Sequence, residues 1–84
     1  SVKRDIAVTL ADGVLNADIV DVIRKNGGKE LVRIDLFDVF KNSRAYSLEF
    51  LSSERTLTDE QVGQAFKKVL DALNQMEGVE VREG

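Results

Sequence analysis

The sequence predicts an α+β domain whose elements run strand, helix, strand, strand, helix, strand. Three observations carry that expectation. Apolar and polar residues alternate with period two in separate short stretches. Apolar residues recur at three- and four-residue spacing in two others. Turn-forming residues, "ADG", "NGG", "KNS" and Gly78, punctuate the boundaries. At 84 residues the chain has room for one domain, spanning 1–84, around one core.

The first strand is "RDIAVTL". Ile6, Val8 and Leu10 fall on one face, and Asp5, Ala7 and Thr9 on the other. The first helix follows in "NADIVDVIRKNGG". Asn16 is its expected N-cap, Asp18 suits the positive end of the helix dipole, and Arg24 and Lys25 suit the negative end. Ile19, Val20, Val22 and Ile23 form its buried stripe, and Gly27 and Gly28 are expected to close it in left-handed conformation. This helix is rich in β-branched residues, so tertiary packing must hold it.

The second strand is "KELVRIDLFDVF". Val32, Ile34 and Leu36 alternate inward against Arg33, Asp35 and Phe37, until adjacent apolar residues blur the pattern and predict a bulge near Phe37 and Asp38. "KNS" is a hairpin turn. The third strand, "RAYSLEFL", buries Tyr46, Leu48 and Phe50. Thr58 and Gln61 then have the spacing of a capping box. Val62, Ala65, Phe66, Val69, Leu70, Leu73 and Met76 make a long amphipathic helix, which Gly78 ends. "VEVR" closes the chain's pattern with Val79 and Val81 inward. Two strand–helix–strand units sharing one antiparallel sheet give the ferredoxin-like βαββαβ plan. Right-handed crossovers place both helices on one face of a four-stranded sheet.

Composition narrows the chemistry. Apolar residues at 43% are too many for a disordered chain. No apolar run approaches the roughly 20 residues of a membrane span, and "SVKRDIAV" does not read as a signal peptide. There is no cysteine, which removes thiol catalysis and disulfides and fits a reducing compartment. There is no histidine, which removes the commonest general base and metal ligand. No catalytic residue, metal site or cofactor is expected. Asp35 and Asp38 point to different faces unless a bulge intervenes, and Asp59 and Glu60 read as first-turn acids. Acylphosphatases share the plan, but "ADGVLN" has neither their arginine nor a glycine run to cradle phosphate.

RNA binding on an open sheet needs aromatics and cations. The uncovered face is expected to carry Arg33, Phe37 and Arg82, together with Asp5, Asp35, Glu49 and Glu80. The net charge of −3 argues against broad, charge-driven binding of nucleic acid. Phe37 also fits a role in covering the sheet edge or facing a partner.

Three phrases in order then carry a resemblance: "KRDIAV" at 3–8, "LFDVF" at 36–40 and "RTLTDEQV" at 55–62. With Tyr46 and Arg82 they resemble the ferredoxin-fold anticodon-binding domain of phenylalanyl-tRNA synthetase β chains. That family's pattern runs R-R-D-I-A, F-D-V-Y, S-L-A-Y and R-T-L-T-D-E-E, with an arginine near the end. The likeness covers nearly the whole chain. It implies a non-catalytic module that binds a tRNA anticodon stem-loop, attached to the rest of a cytoplasmic synthetase, with Arg4, Arg33, Phe37, Arg55 and Arg82 as candidate RNA contacts. The isolated domain is expected to be a monomer and to have no membrane partner. One departure is the short "KNS" turn, where the family has a longer glycine-rich hairpin with a lysine. A domain of this family, natural or engineered, that keeps the fold without a ligand is the alternative. An interaction module working by strand addition at the sheet edge is a third reading. Arg55 itself has two readings: it ties its loop to Asp38 or to backbone carbonyls, or it meets an RNA phosphate.

Overall fold

Residues Val2–Leu10 (β1) and Ser43–Phe50 (β3) pair antiparallel at the centre of the sheet, and their alternation divides the molecule into two sides. Ile6 faces Tyr46 and Val2 faces Phe50 on the covered side; Asp5 faces Ser47 and Ala7 faces Ala45 on the other. The computed structural model describes residues 1–82. Leu31–Phe40 (β2) adds to the free side of β3, and Val79–Arg82 (β4) to the free side of β1. All pairs are antiparallel and the order is β2-β3-β1-β4, the ferredoxin-like arrangement expected from the sequence.

Asn16–Asn26 (α1) and Asp59–Asn74 (α2) close the covered side. Ile19 and Ile23 of α1 and Val62, Val69 and Leu73 of α2 join Ile6, Val8, Leu10, Tyr46, Leu48 and Phe50 in one buried cluster. Burying side chains of this size stabilises by roughly 1.5–3 kcal/mol each, so this cluster is the main force holding a helix as short and β-branched as α1. Val20 and Val22 are only partly buried.

The capping box at Thr58 is formed in both directions. The Gln61 amide donates to Thr58 Oγ1 at 3.1 Å, and the Thr58 amide donates to Gln61 Oε1 at 3.0 Å. The start of α1 differs from expectation. Leu15 occupies the cap position with no side-chain bond, and Asn16 is already helical. The Asn16 side chain instead accepts a hydrogen bond from the Tyr46 hydroxyl. Tyr46 is fully buried, and its hydroxyl needs an acceptor that the apolar core cannot supply.

The end of α1 also departs from expectation. Gly28 is left-handed (φ 81°), but Gly27 is right-handed (φ −78°). A Cβ on Gly27 would lie 2.3 Å from Leu31 Cδ2, so Gly27 is there for space.

In β2, bulges fall between Leu31 and Arg33 and between Leu36 and Asp38. The second is the expected one. The first is not, and it reverses the inward assignment of Val32. Leu31 pairs with Phe50 and is 8% exposed, whereas Val32 is left without a partner and is 51% exposed. Leu36 is also less covered than expected, at 40%, because α1 makes little contact with the far end of this edge strand. The β2–β3 turn is tight, with only Lys41 and Asn42 between the Phe40–Ser43 pair, and Lys41 is held at φ 54°.

Candidate nucleic-acid interface

The uncovered face of the sheet is a lattice whose rows can be read from the strand registers. Arg33, Glu49 and Lys3 make one row. Asp35, Ser47 and Asp5 make the next. Asp38, Ala45, Ala7 and Arg82 make the third, and Phe40, Ser43, Thr9 and Glu80 the fourth. The two alanines leave the middle of the third row flat, with room for a planar group to approach the backbone. Phe37, 57% exposed, is the extra residue of the second bulge, at the β2 edge beside that row.

Electrostatics on this face are mixed. Asp5, Asp35, Asp38, Glu49 and Glu80 oppose Lys3, Arg33 and Arg82. The Arg33 guanidinium is already engaged, with Nε 2.7 Å from Asp35 Oδ2. Arg82 and Lys3 make no ion pair among the described residues.

The five candidate contacts therefore do not converge. Arg33 and Arg82 lie on the open face, and Phe37 at its edge. Arg4 shares the covered side with Ile6 and reaches the start of α2, where Nη2 lies 3.5 Å from Asp59 Oδ1. Its position follows from parity alone, since residue 4 alternates in phase with Ile6 and Val8. Arg55 sits in the loop between β3 and α2. It is exposed and has no hydrogen bond or ion pair among the described residues, so it does not tie that loop to Asp38 or to a carbonyl. Lys67, on the polar side of α2, pairs with Asp71 at 3.0 Å and faces away from the sheet. Lys29 and Lys3 are exposed cations absent from the candidate contacts: no motif marks Lys29, and Lys3 enters only as the first residue of the "KRDIAV" phrase.

Among the described residues no group of acids is arranged to hold a metal ion, and no helix is long and apolar enough to cross a membrane. Burial pushes the Tyr46 hydroxyl pKa up, against a smaller downward pull from the nearby Arg44 charge.

A family model described as "Ferredoxin-fold anticodon binding domain" matches residues 1–82. The chain belongs to this family. Relatives of this anticodon-binding domain include the phenylalanine–tRNA ligase beta subunit of Streptococcus mutans, 41% identical over 90 positions that cover 98% of this chain and 11% of the relative. The Lactiplantibacillus plantarum subunit gives the same figures. The Listeria monocytogenes subunit is 45% identical over 80 positions, covering 86% of this chain and 10% of the relative. The domain thus spans about one tenth of the length of the curated relatives it matches. The alignment to the Streptococcus protein has 90 positions against 84 residues here, so at least six of its positions have no counterpart in this chain.

Proposed function

We propose that this domain binds the anticodon stem-loop of a phenylalanine tRNA as a non-catalytic module of a synthetase β subunit. The observation that carries this reading is membership of the anticodon-binding family across the whole described chain. The open sheet face supports it, with a flat alanine centre, Phe37 at the edge, and Arg82 and Arg33 on either side. The remainder of the synthetase is the second partner, and it supplies the chemistry of aminoacylation. The reading places the module in the cytoplasm, where bacterial tRNA charging takes place.

Affinity of the domain alone is modest, because phosphate contacts are few and acids outnumber cations on the face. That excess of acids favours one alternative, a domain that keeps the fold and leaves RNA contacts to the rest of the enzyme.

A low-salt titration with labelled phenylalanine-tRNA anticodon stem-loop separates the two. Preference for the cognate loop over a scrambled one, weakening steeply with salt, is the expected result. Arg33→Ala or Arg82→Ala then weakens binding without unfolding the domain and lowers the salt slope. Equal or absent binding of both loops by a folded domain would rule the reading out.

A further inference from the structure

The loops at the Val2 end of the sheet enclose a groove of about 320 Å³ that the open-face description does not include. Its walls are held together by a backbone bond, Leu51 amide to Glu30 carbonyl at 2.8 Å. Two exposed apolar side chains line it: Val32, turned outward by the first bulge, and Leu51, just past β3, are 51% and 48% exposed. Lys29 and Arg55 both line it, and neither has an ion pair among the described residues. Ser52 and Ser53 add hydroxyl donors, while Glu30 and Glu54 are the opposing acids. Arg55 also borders two neighbouring depressions, so a group held there is reached from several directions. Arg33 follows Val32 directly in the chain and begins the first row of the open face, so the groove continues that face around its edge.

We propose that this groove holds one unpaired nucleotide of the bound RNA, with its phosphate against Arg55 and Lys29 and its base over Val32 and Leu51. The proposal rests on the RNA-binding reading and deepens it. Two exposed apolar side chains and two unpaired cations lining one groove suit a nucleotide, because a base offers a flat apolar face and the adjoining phosphate a single negative charge. The volume falls at the small end of ligand pockets, enough for a single residue of a chain and not for a folded helix. The bulge at Val32 acquires a use in this way: without it, the side chain would turn toward the core and the groove would lose one of its two apolar lining residues.

The test is titration of the 84-residue domain with the labelled phenylalanine-tRNA anticodon stem-loop over a series of salt concentrations, with melting curves for each variant. Arg55→Gln and Lys29→Gln each weaken binding, and the double variant reduces the slope of log K against log salt by about 0.7, the value for the one single-strand phosphate the two share. Val32→Ser weakens binding with the slope unchanged, because the contact it removes carries no charge. Melting temperature is unmoved in Arg55→Gln, since Arg55 has no hydrogen bond or ion pair among the described residues. Lys67→Gln, on the polar side of α2, binds as wild type. Amide shifts of Leu51 and Ser53 on adding RNA to the wild type report the same groove without any substitution. If Arg55→Gln, Lys29→Gln and Val32→Ser all bind as wild type while Arg82→Gln is weakened, the groove is not a nucleotide site and the open-face reading stands. If the wild type binds no RNA and no amide shifts, both fall together.

Discussion

Gly27 and Gly63 allow one chemical change to be made in two environments that predict opposite signs. Gly27 closes α1 with an ordinary right-handed φ of −78°, so alanine there meets no backbone strain. What it meets is Leu31: the new methyl would lie 2.3 Å from Cδ2 and 3.0 Å from Cβ, and 3.1 Å from the Ile23 carbonyl oxygen. Leu31 is buried and paired with Phe50 at the first bulge, so it has little room to give. Overpacking of this kind costs about 1–3 kcal/mol, offset by about 0.4–1 kcal/mol from the stiffer unfolded chain. From the midpoints of those ranges the expected net loss for Gly27→Ala is about 1.3 kcal/mol. In a domain of this size each kcal/mol moves the melting temperature by roughly 4–8 °C. Gly63 lies inside α2 with nothing within 4 Å of the position a Cβ would take. Gly63→Ala should gain about 0.5–1 kcal/mol from helix propensity alone. Urea melts of the two variants, with wild-type slopes as a check on two-state behaviour, give both numbers. A neutral or stabilising Gly27→Ala would refute the packing account of this glycine. Relief of the loss in Gly27→Ala/Leu31→Val would support it.

Three further outcomes follow from local features. Thr58→Ala removes half of the capping box and should cost about 1 kcal/mol in a urea melt, with no change in RNA affinity. Tyr46 is the chain's single tyrosine, so tyrosinate absorbance reports its titration directly, and the folded domain should titrate above the ordinary value of 10.0. Because the folded pKa is the higher one, stability is undiminished below the unfolded pKa and falls as pH rises past it toward the folded value; Tyr46→Phe should abolish that part of the alkaline loss. Lys41 holds φ 54° in the two-residue turn, where glycine is unstrained. Lys41→Gly should raise stability by about 0.5–1 kcal/mol in thermal melts, a gain reduced by the loss of the ammonium lying 5.4 Å from the Phe40 ring centre.

The elements with a single clear period were legible in advance. β1 and β3 alternate without ambiguity, and the Thr58–Gln61 pair marks the start of α2 to the residue. β2 was harder because Leu31 and Val32 are adjacent and either can begin an inward alternation. The choice is made across the sheet, by Phe50, and no local signal reveals it. Asn16 misled for a related reason. A residue suited to capping was taken by a buried hydroxyl thirty positions away, and that demand exists only once the chain is folded. Of the candidate site, the side of the sheet on which Arg4 and Arg82 stand is a matter of counting residues. The groove joins Lys29 to Arg55 from loops far apart in sequence, and only the folded sheet brings them to one place.

The two register breaks in β2 bear on how such domains behave when crowded together. Val32, Leu36, Phe37, Val39 and Phe40 put a row of greasy side chains on the one long free edge, which is the pattern that recruits a second copy into a growing ribbon. The interruptions leave only Arg33–Leu36 in unbroken pleat between them, a segment too short to template a neighbour. Deleting Val32 or Phe37 would straighten that edge, and the shortened chain would be expected to gel or form fibrils at concentrations where the intact one stays dispersed.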